Sequence, residues 1–440
     1  MPPGARFRAP FDWGIPVTET QLAVLLADVA LIIVISRLFG VLARRLGQPA
    51  VIGEILGGIL VGPTLFHGAL TDALFPMEIR PHLGTLANVG LVIFMFFVGL
   101  EFDSSRLRGS GRIAGVTAFG SAVLPFVLGM PLGLYLMRTH ESANDVAFVL
   151  FIGIAVSVTA FPVLARIITD RGMQGSRIAA LSLSAAAVCD LAAWTALAAV
   201  QGMVSGDGHG WWMLLMVPYA LVLFWARPLL RRMIARAKPG SPLPSSVFTT
   251  LLVGALASAA LTQVIGLHFV IGAFLFGLIV PRPERPAHYE GLLERTQNLT
   301  VLLLPMYFVT SGMKVDLAAM GMSDLRDFAL VMLVAITGKF GGTWLAVRSQ
   351  GMPARDSAVL ATLMNTRGLT ELIALGVGLE AGLLDERLYA VFVLMAVITT
   401  AMTGPLLKRL TGQGDVAPLG ATPLAVRAEP AKPQKQETSS

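Results

Sequence analysis

Asp190 is the single acid within an apolar stretch, Ile178 to Met203 (IAALSLSAAAVCDLAAWTALAAVQGM), that is long enough to cross a bilayer as a helix. A charge at that depth costs about 2.5–3.5 kcal/mol on insertion scales, so it must face a partner, a cavity or an ion. A carboxylate so placed can bind and release a proton or a monovalent cation. Small neighbours (Ser182, Ser184, Ala185, Ala186, Ala192, Ala193) let other backbones approach it closely. Two further stretches interrupt apolar runs with oxygen-bearing or charged side chains. Ser157-Val-Thr-Ala-Phe-Pro-Val-Leu-Ala165 carries Ser157 and Thr159, and Pro162 predicts a helix break there that frees carbonyls at mid-membrane. Asn365-Thr-Arg-Gly-Leu-Thr-Glu371 carries Asn365, Arg367 and Glu371, a cluster too polar for lipid and suited to a gate or an ion path. Lys339, within GKFGG, is the one lysine placed inside a span; it can pair with Asp190, meet a bound anion or snorkel to an interface.

Elements of a definite kind must position these groups. The 440 residues are 55% hydrophobic and only 14% charged, which excludes an ordinary soluble domain and indicates an all-α polytopic membrane protein. About thirteen spans are expected, at roughly 20–40, 49–66, 84–101, 112–137, 145–168, 177–202, 211–234, 245–265, 267–281, 298–313, 326–347, 356–379 and 388–407. Residues 1–19 read as a short extracytoplasmic lead-in with no cleavable signal, and 411–440 as a disordered cytoplasmic tail; no nucleotide-binding domain is expected. The net charge of +6 is not a nucleic-acid signal, because the basic residues segregate. One set of alternate loops holds Arg44, Arg45, Arg166, Arg171, Arg231, Arg232, Arg348, Lys408 and Arg409, among others. Apart from Arg6 and Arg8, the other set holds only Arg80, Arg138, Lys314, Arg326 and Arg387. The positive-inside rule then puts the N-terminus outside and the C-terminus in the cytoplasm. The lone cysteine, Cys189, excludes an intrachain disulfide, and the six histidines show no metal-ligand spacing. The expected inventory is a monovalent cation at Asp190 and no other metal, no cofactor and no catalytic residue.

An internal repeat is legible. VIGEILGGILV (51–61) aligns without gaps on VIGAFLFGLIV (270–280), and FFVGLEFD ending at Asp103 matches FVTSGMKVD ending at Asp316. Glu101 and Lys314 fall at matching places near helix ends. Seven spans separate the equivalent positions, so the halves (about 20–202 and 245–407, with a linker helix at 211–234) have opposite orientation. Inverted repeats with interrupted helices place the site of secondary transporters between the halves. Other readings of the same pattern are a carrier of another solute or organic ion on this scaffold and a membrane-embedded enzyme. The enzyme would need paired acids or metal ligands clustered at an interface rather than a lone midplane acid.

The ordered set SVTAFPVLARIITD, SLSAAAVCDLAAW, SGMKVDL, GKFGG and MNTRGLTELIAL, spread over residues 20–410, resembles the cation:proton antiporter superfamily. The likeness is to the branch with bacterial Na⁺(K⁺)/H⁺ antiporters, potassium-efflux membrane domains and plant cation/H⁺ exchangers. The resemblance implies an antiporter fold in which the fifth and twelfth spans unwind and cross beside the essential acid. It implies a homodimer in the plasma membrane, with Na⁺ or K⁺ and H⁺ as the exchanged ions. By the same resemblance Asp190 is the ion- and proton-binding carboxylate, Thr159 the polar residue at the fifth-span crossover, Lys339 the core lysine and Lys314 the lysine of the SG-x-K segment. Cys189 departs from the pattern, which usually has Asp, Asn or Gln before the essential acid. With one titrating acid, the simplest cycle exchanges one proton for one cation and is electroneutral.

Overall fold

Helices fall on every apolar stretch identified above. The computed structural model describes residues 19–101, 111–173, 176–204, 216–236, 243–265, 268–281 and 286–411, and no strand occurs among them. The expected lead-in and tail therefore lie outside the described residues, apart from their innermost positions. The first half runs α1 (Glu19–Arg45), α2 (Ala50–Val61), α3 (Ala69–Leu74), α4 (Arg80–Glu101), α5 (Gly111–Leu136), α6 (Asp145–Ser157), α7 (Phe161–Asp170) and α8 (Arg177–Val204). After α9 (Met216–Ala235) the second half runs α10 (Ser245–Val264), α11 (Phe269–Ile279), α12 (Pro286–Met313), α13 (Met322–Arg348), α14 (Ala354–Met364), α15 (Leu369–Glu380) and α16 (Glu386–Thr411). Among the described residues eight stretches, with α6 and α7 taken together, are each long and apolar enough to cross a membrane; α2 and α11 are shorter apolar helices.

The boundaries differ from expectation where polar residues continue a helix or apolar ones end it. α12 begins at Pro286 rather than near 298, because residues such as His288 and Thr296 are buried and extend it. The short α3, and the 3₁₀ turn Phe66–Gly68 before it, carry no hydropathy signal long enough to announce them. Helix starts follow ordinary capping: the Asn144 side chain accepts from the Ala147 amide (3.0 Å) at α6, and Asp385 accepts from the Leu388 amide (2.7 Å) at α16.

Packing makes the repeat visible in three dimensions. α2 lies on α12 at Gly58, where an added Cβ would sit 2.9 Å from the Gly312 Cα. α11 lies on α4 at Gly277, where it would sit 3.0 Å from the Gly99 Cα. In the sequence alignment Gly58 corresponds to Gly277 and Gly99 to Gly312, so one close contact maps onto the other when the halves are exchanged. Backbones meet there without an intervening side chain, the small-residue packing that helices use in lipid. Outward faces carry Leu26 and Leu38 on α1, Phe119 on α5, and Phe224 and Trp225 on α9, all exposed. A bilayer is the solvent that fits such a surface.

Candidate ion-binding site

Both polar stretches are helix breaks, and the breaks cross. α6 ends at Ser157, Val158 is extended (φ −63°, ψ 143°), and α7 starts at Phe161. Pro162 is therefore not the point of rupture that the sequence suggests. It sits in the first turn of α7, where a missing N–H leaves no intrahelical bond unmade, and the break lies just before it. In the second half α14 ends at Met364 and α15 starts at Leu369, with Gly368 at φ 149°, ψ −121°, a backbone conformation that only glycine adopts without strain. The Ala160 amide donates to the Thr366 carbonyl (3.1 Å) and the Thr159 hydroxyl to the Met364 carbonyl (3.1 Å). A Cβ on Gly368 would lie 2.8 Å from Val163 Cγ2, so the two interrupted helices touch at their breaks.

Two cations cap the open end of α6. Lys339, fully buried on α13, donates to the Ser157 carbonyl, to Thr159 Oγ1 (2.5 Å), and to the carbonyl (3.1 Å) and hydroxyl (3.2 Å) of Ser121 on α5. Arg367, also fully buried, donates to the carbonyls of Ala155 (2.8 Å) and Val156 (2.5 Å) and pairs with Glu371 (2.9 Å). A helix C-terminus carries partial negative charge and unpaired carbonyls, so positive side chains belong there. The carbonyls that the break of α6 was expected to offer to a passing cation are thus taken by Lys339 and Arg367. Ser157 contributes its carbonyl to this arrangement, while its hydroxyl donates back to Ile154 (2.9 Å).

Asp190 stands apart from these pairs. On α8 it is 3% exposed, and neither carboxylate oxygen has a hydrogen-bond partner. The Phe161 amide, at the positive end of α7, is near enough to act on it electrostatically. Asp190 shares a small pocket with Val158, Trp194 and Thr370, whose hydroxyl is also buried and unpartnered. Cys189, the residue before Asp190, packs toward α5, its thiol donating to the Ala118 carbonyl (3.6 Å). Asn365 closes α14 with its side-chain oxygen buried and unpartnered. Larger cavities flank the crossing. One of about 420 Å³ opens toward the arginine-rich loops and is lined by Glu54, Arg44, Pro162 and Arg166. One of about 340 Å³ opens at the opposite end and is lined by Lys314, His268, Tyr307 and Glu380. Lys314 is exposed there, past the end of α12, and the structure does not bring it to the crossing.

Residues 30–411 match the family model described as the transmembrane sodium/hydrogen exchanger. The chain belongs to this family. A cation/H(+) antiporter of Arabidopsis thaliana is 37% identical over 404 residues, covering 87% of the chain and 48% of the plant protein. A Na(+)/H(+) antiporter of Synechocystis is 36% identical over 401 residues, covering 88% of the chain and 97% of that relative. The chain thus spans about half the length of the plant relatives and nearly all of the cyanobacterial one. The structure of a sodium proton antiporter from Methanocaldococcus jannaschii superposes with a TM-score of 0.65 at 14% identity, covering 89% of this chain and 97% of that one, a likeness of fold.

Within this exchanger-family chain, sequence reasoning missed two polar partners at the crossing. Ser121 offers no signal beyond a hydroxyl in an apolar run, yet it holds Lys339. Thr370 lies inside the polar cluster already recognised, and only the pocket distinguishes it from its neighbours.

Proposed function

We propose that this protein exchanges a monovalent cation, Na⁺ or K⁺, for H⁺ by alternating access, with Asp190 as the shared site. The observation that carries the reading is a buried carboxylate whose two oxygens are unpartnered, set beside crossed helix breaks between cavities at opposite ends of the bundle. A buried carboxylate with no ion-pair partner in a low-dielectric interior is held by a proton or by a cation, because the empty charged form is too costly to persist. The two ions therefore compete, and the competition couples their fluxes. Thr370, on the wall of the same pocket, supplies a neutral oxygen ligand, and Thr159 fixes the crossing. Lys339 and Arg367 hold the half-helices in place. Glu371 neutralises Arg367, Asn365 stands at the break of α14, and Lys314 stands on one approach.

The printed names of the relatives support the ion classes. The arginine-rich end supports an N-terminus outside, a cytoplasmic C-terminus and thirteen spans. The likeness of the sequence motifs supports a homodimer in the plasma membrane. The test is purified protein in proteoliposomes with an enclosed pH dye. Pulses of Na⁺ or K⁺ should move protons against the added cation. A dye trace that ignores both cations, from correctly inserted protein, would refute the proposal.

A further inference from the structure

At the end of the bundle away from the arginine-rich loops, four groups meet that the transport reading does not use. His140 lies in the α5–α6 loop, Asp324 and Asp327 in the first turns of α13, and Asp385 just before α16. His140 is 6% exposed, Asp324 3% and Asp327 1%. The imidazole Nδ1 is 2.7 Å from Asp385 Oδ2, while Nε2 faces Asp327 Oδ2 at 3.4 Å. One ligand atom from each of His140, Asp324 and Asp327 lies within 4.8 Å of the others. The remaining oxygen of Asp327, Oδ1, is buried without a hydrogen-bond partner. Asp324 gives one oxygen to the Gly321 amide at 2.8 Å. The nearby Arg326 is turned onto the Tyr135 ring, 5.7 Å from its centroid.

We propose that His140, Asp324 and Asp327 form a binding site for a divalent transition-metal cation of the Zn²⁺ type, with Asp385 orienting the imidazole. A histidine that ligates through one nitrogen usually donates the other N–H to a carboxylate, which fixes its tautomer. Asp385 takes that position at Nδ1. Nε2 and Asp327 Oδ2 then face each other at 3.4 Å, so a cation taking the place of the proton between them would be held by both. Zinc bonds of about 2.0–2.1 Å to nitrogen and oxygen put tetrahedral ligand atoms about 3.3 Å apart, close to the Nε2–Oδ2 separation. Two buried carboxylates and an imidazole make a borderline ligand set that suits Zn²⁺ over Mg²⁺ or Ca²⁺. A bound ion would tie the α5–α6 loop to the start of α13.

The test uses the full chain in detergent, stripped with chelator and then given Zn²⁺ alone. Elemental analysis after desalting should find about one Zn²⁺ per protomer at micromolar concentration, and the melting temperature should rise. His140→Gln and Asp327→Asn should each weaken uptake about tenfold or more, and Asp385→Asn by about tenfold. Asp190→Asn should bind Zn²⁺ like the wild type, which separates this site from the proposed transport site. Should His140→Gln fail to fold, Co²⁺ added to the wild type should give the visible d–d bands of a four-coordinate nitrogen and oxygen site. No stoichiometric uptake by the wild type, full uptake by His140→Gln, loss of uptake in Asp190→Asn, or Co²⁺ without such bands would each overturn the proposal. The first of these results would mean that a proton alone bridges His140 and Asp327.

Discussion

An ammonium group has three N–H donors, and Lys339 has four acceptor atoms around it from Ser121, Ser157 and Thr159. No donor is left for Asp190, so the pairing of these two charges that the sequence permits is replaced by a cap on α6. Lys339→Met keeps the stem and strands those oxygens, each at about 1–3 kcal/mol. We expect a loss of about 3 kcal/mol or more, seen as a melting temperature lower by many degrees in detergent. Lys314→Met, at an exposed position, should stay within about 0.5 kcal/mol. Equal shifts for the two variants would mean that Lys339 is not a structural cap. Cys189→Ser makes a second test at this scale. Serine can donate to the same Ala118 carbonyl, so exchange should be retained, and its loss would put the thiol in the ion path.

The helix breaks and the repeat belong to the element scale. Gly58 and Gly277 occupy equivalent positions, and a methyl group at either would strike backbone on the facing helix. Gly58→Ala and Gly277→Ala should each destabilise by about 1–3 kcal/mol, the range for overpacking a tight contact. Gly115→Ala, on α5 with open space around its Cβ, should be close to neutral in the same melting assay. A neutral Gly277→Ala beside a damaging Gly58→Ala would break the symmetry of the packing argument. These elements were largely legible beforehand. Long apolar runs announce helices, and the Gly-spaced match of 51–61 with 270–280 announces the repeat. The break in the fifth span was legible through Pro162 but misplaced. Proline signals that a helix cannot continue through it, and the same signal arises when it begins a new one. The caps on α6 were not legible, since they join Lys339 to backbone carbonyls some 180 residues away, and a carbonyl has no sequence identity. His140, Asp324, Asp327 and Asp385 likewise show no motif spacing, because separate loops and helix ends bring them together.

At the scale of the whole molecule, cavities reach inward from both ends and Asp190 lies in neither. With Lys339 and Arg367 engaged as caps, one carboxylate carries the exchangeable charge. On the proposed mechanism one proton then replaces one monovalent cation, and the cycle would move no net charge. Exchange in vesicles should therefore be insensitive to an imposed membrane potential. Cys189→Asp would add a second carboxylate beside the first and should make exchange respond to that potential. A wild-type rate that follows the imposed voltage would contradict the one-for-one cycle. The most direct test of the shared site is proton release on cation binding by purified protein in weakly buffered detergent. Linkage requires that a cation displacing the proton of Asp190 release up to about one H⁺ per protomer, most at the pH where the site is protonated. The account predicts that release for Na⁺ or K⁺ with the wild type and none with a folded Asp190→Asn variant. Equal release from Asp190→Asn, or cation binding by the wild type with no release at any pH, would contradict it.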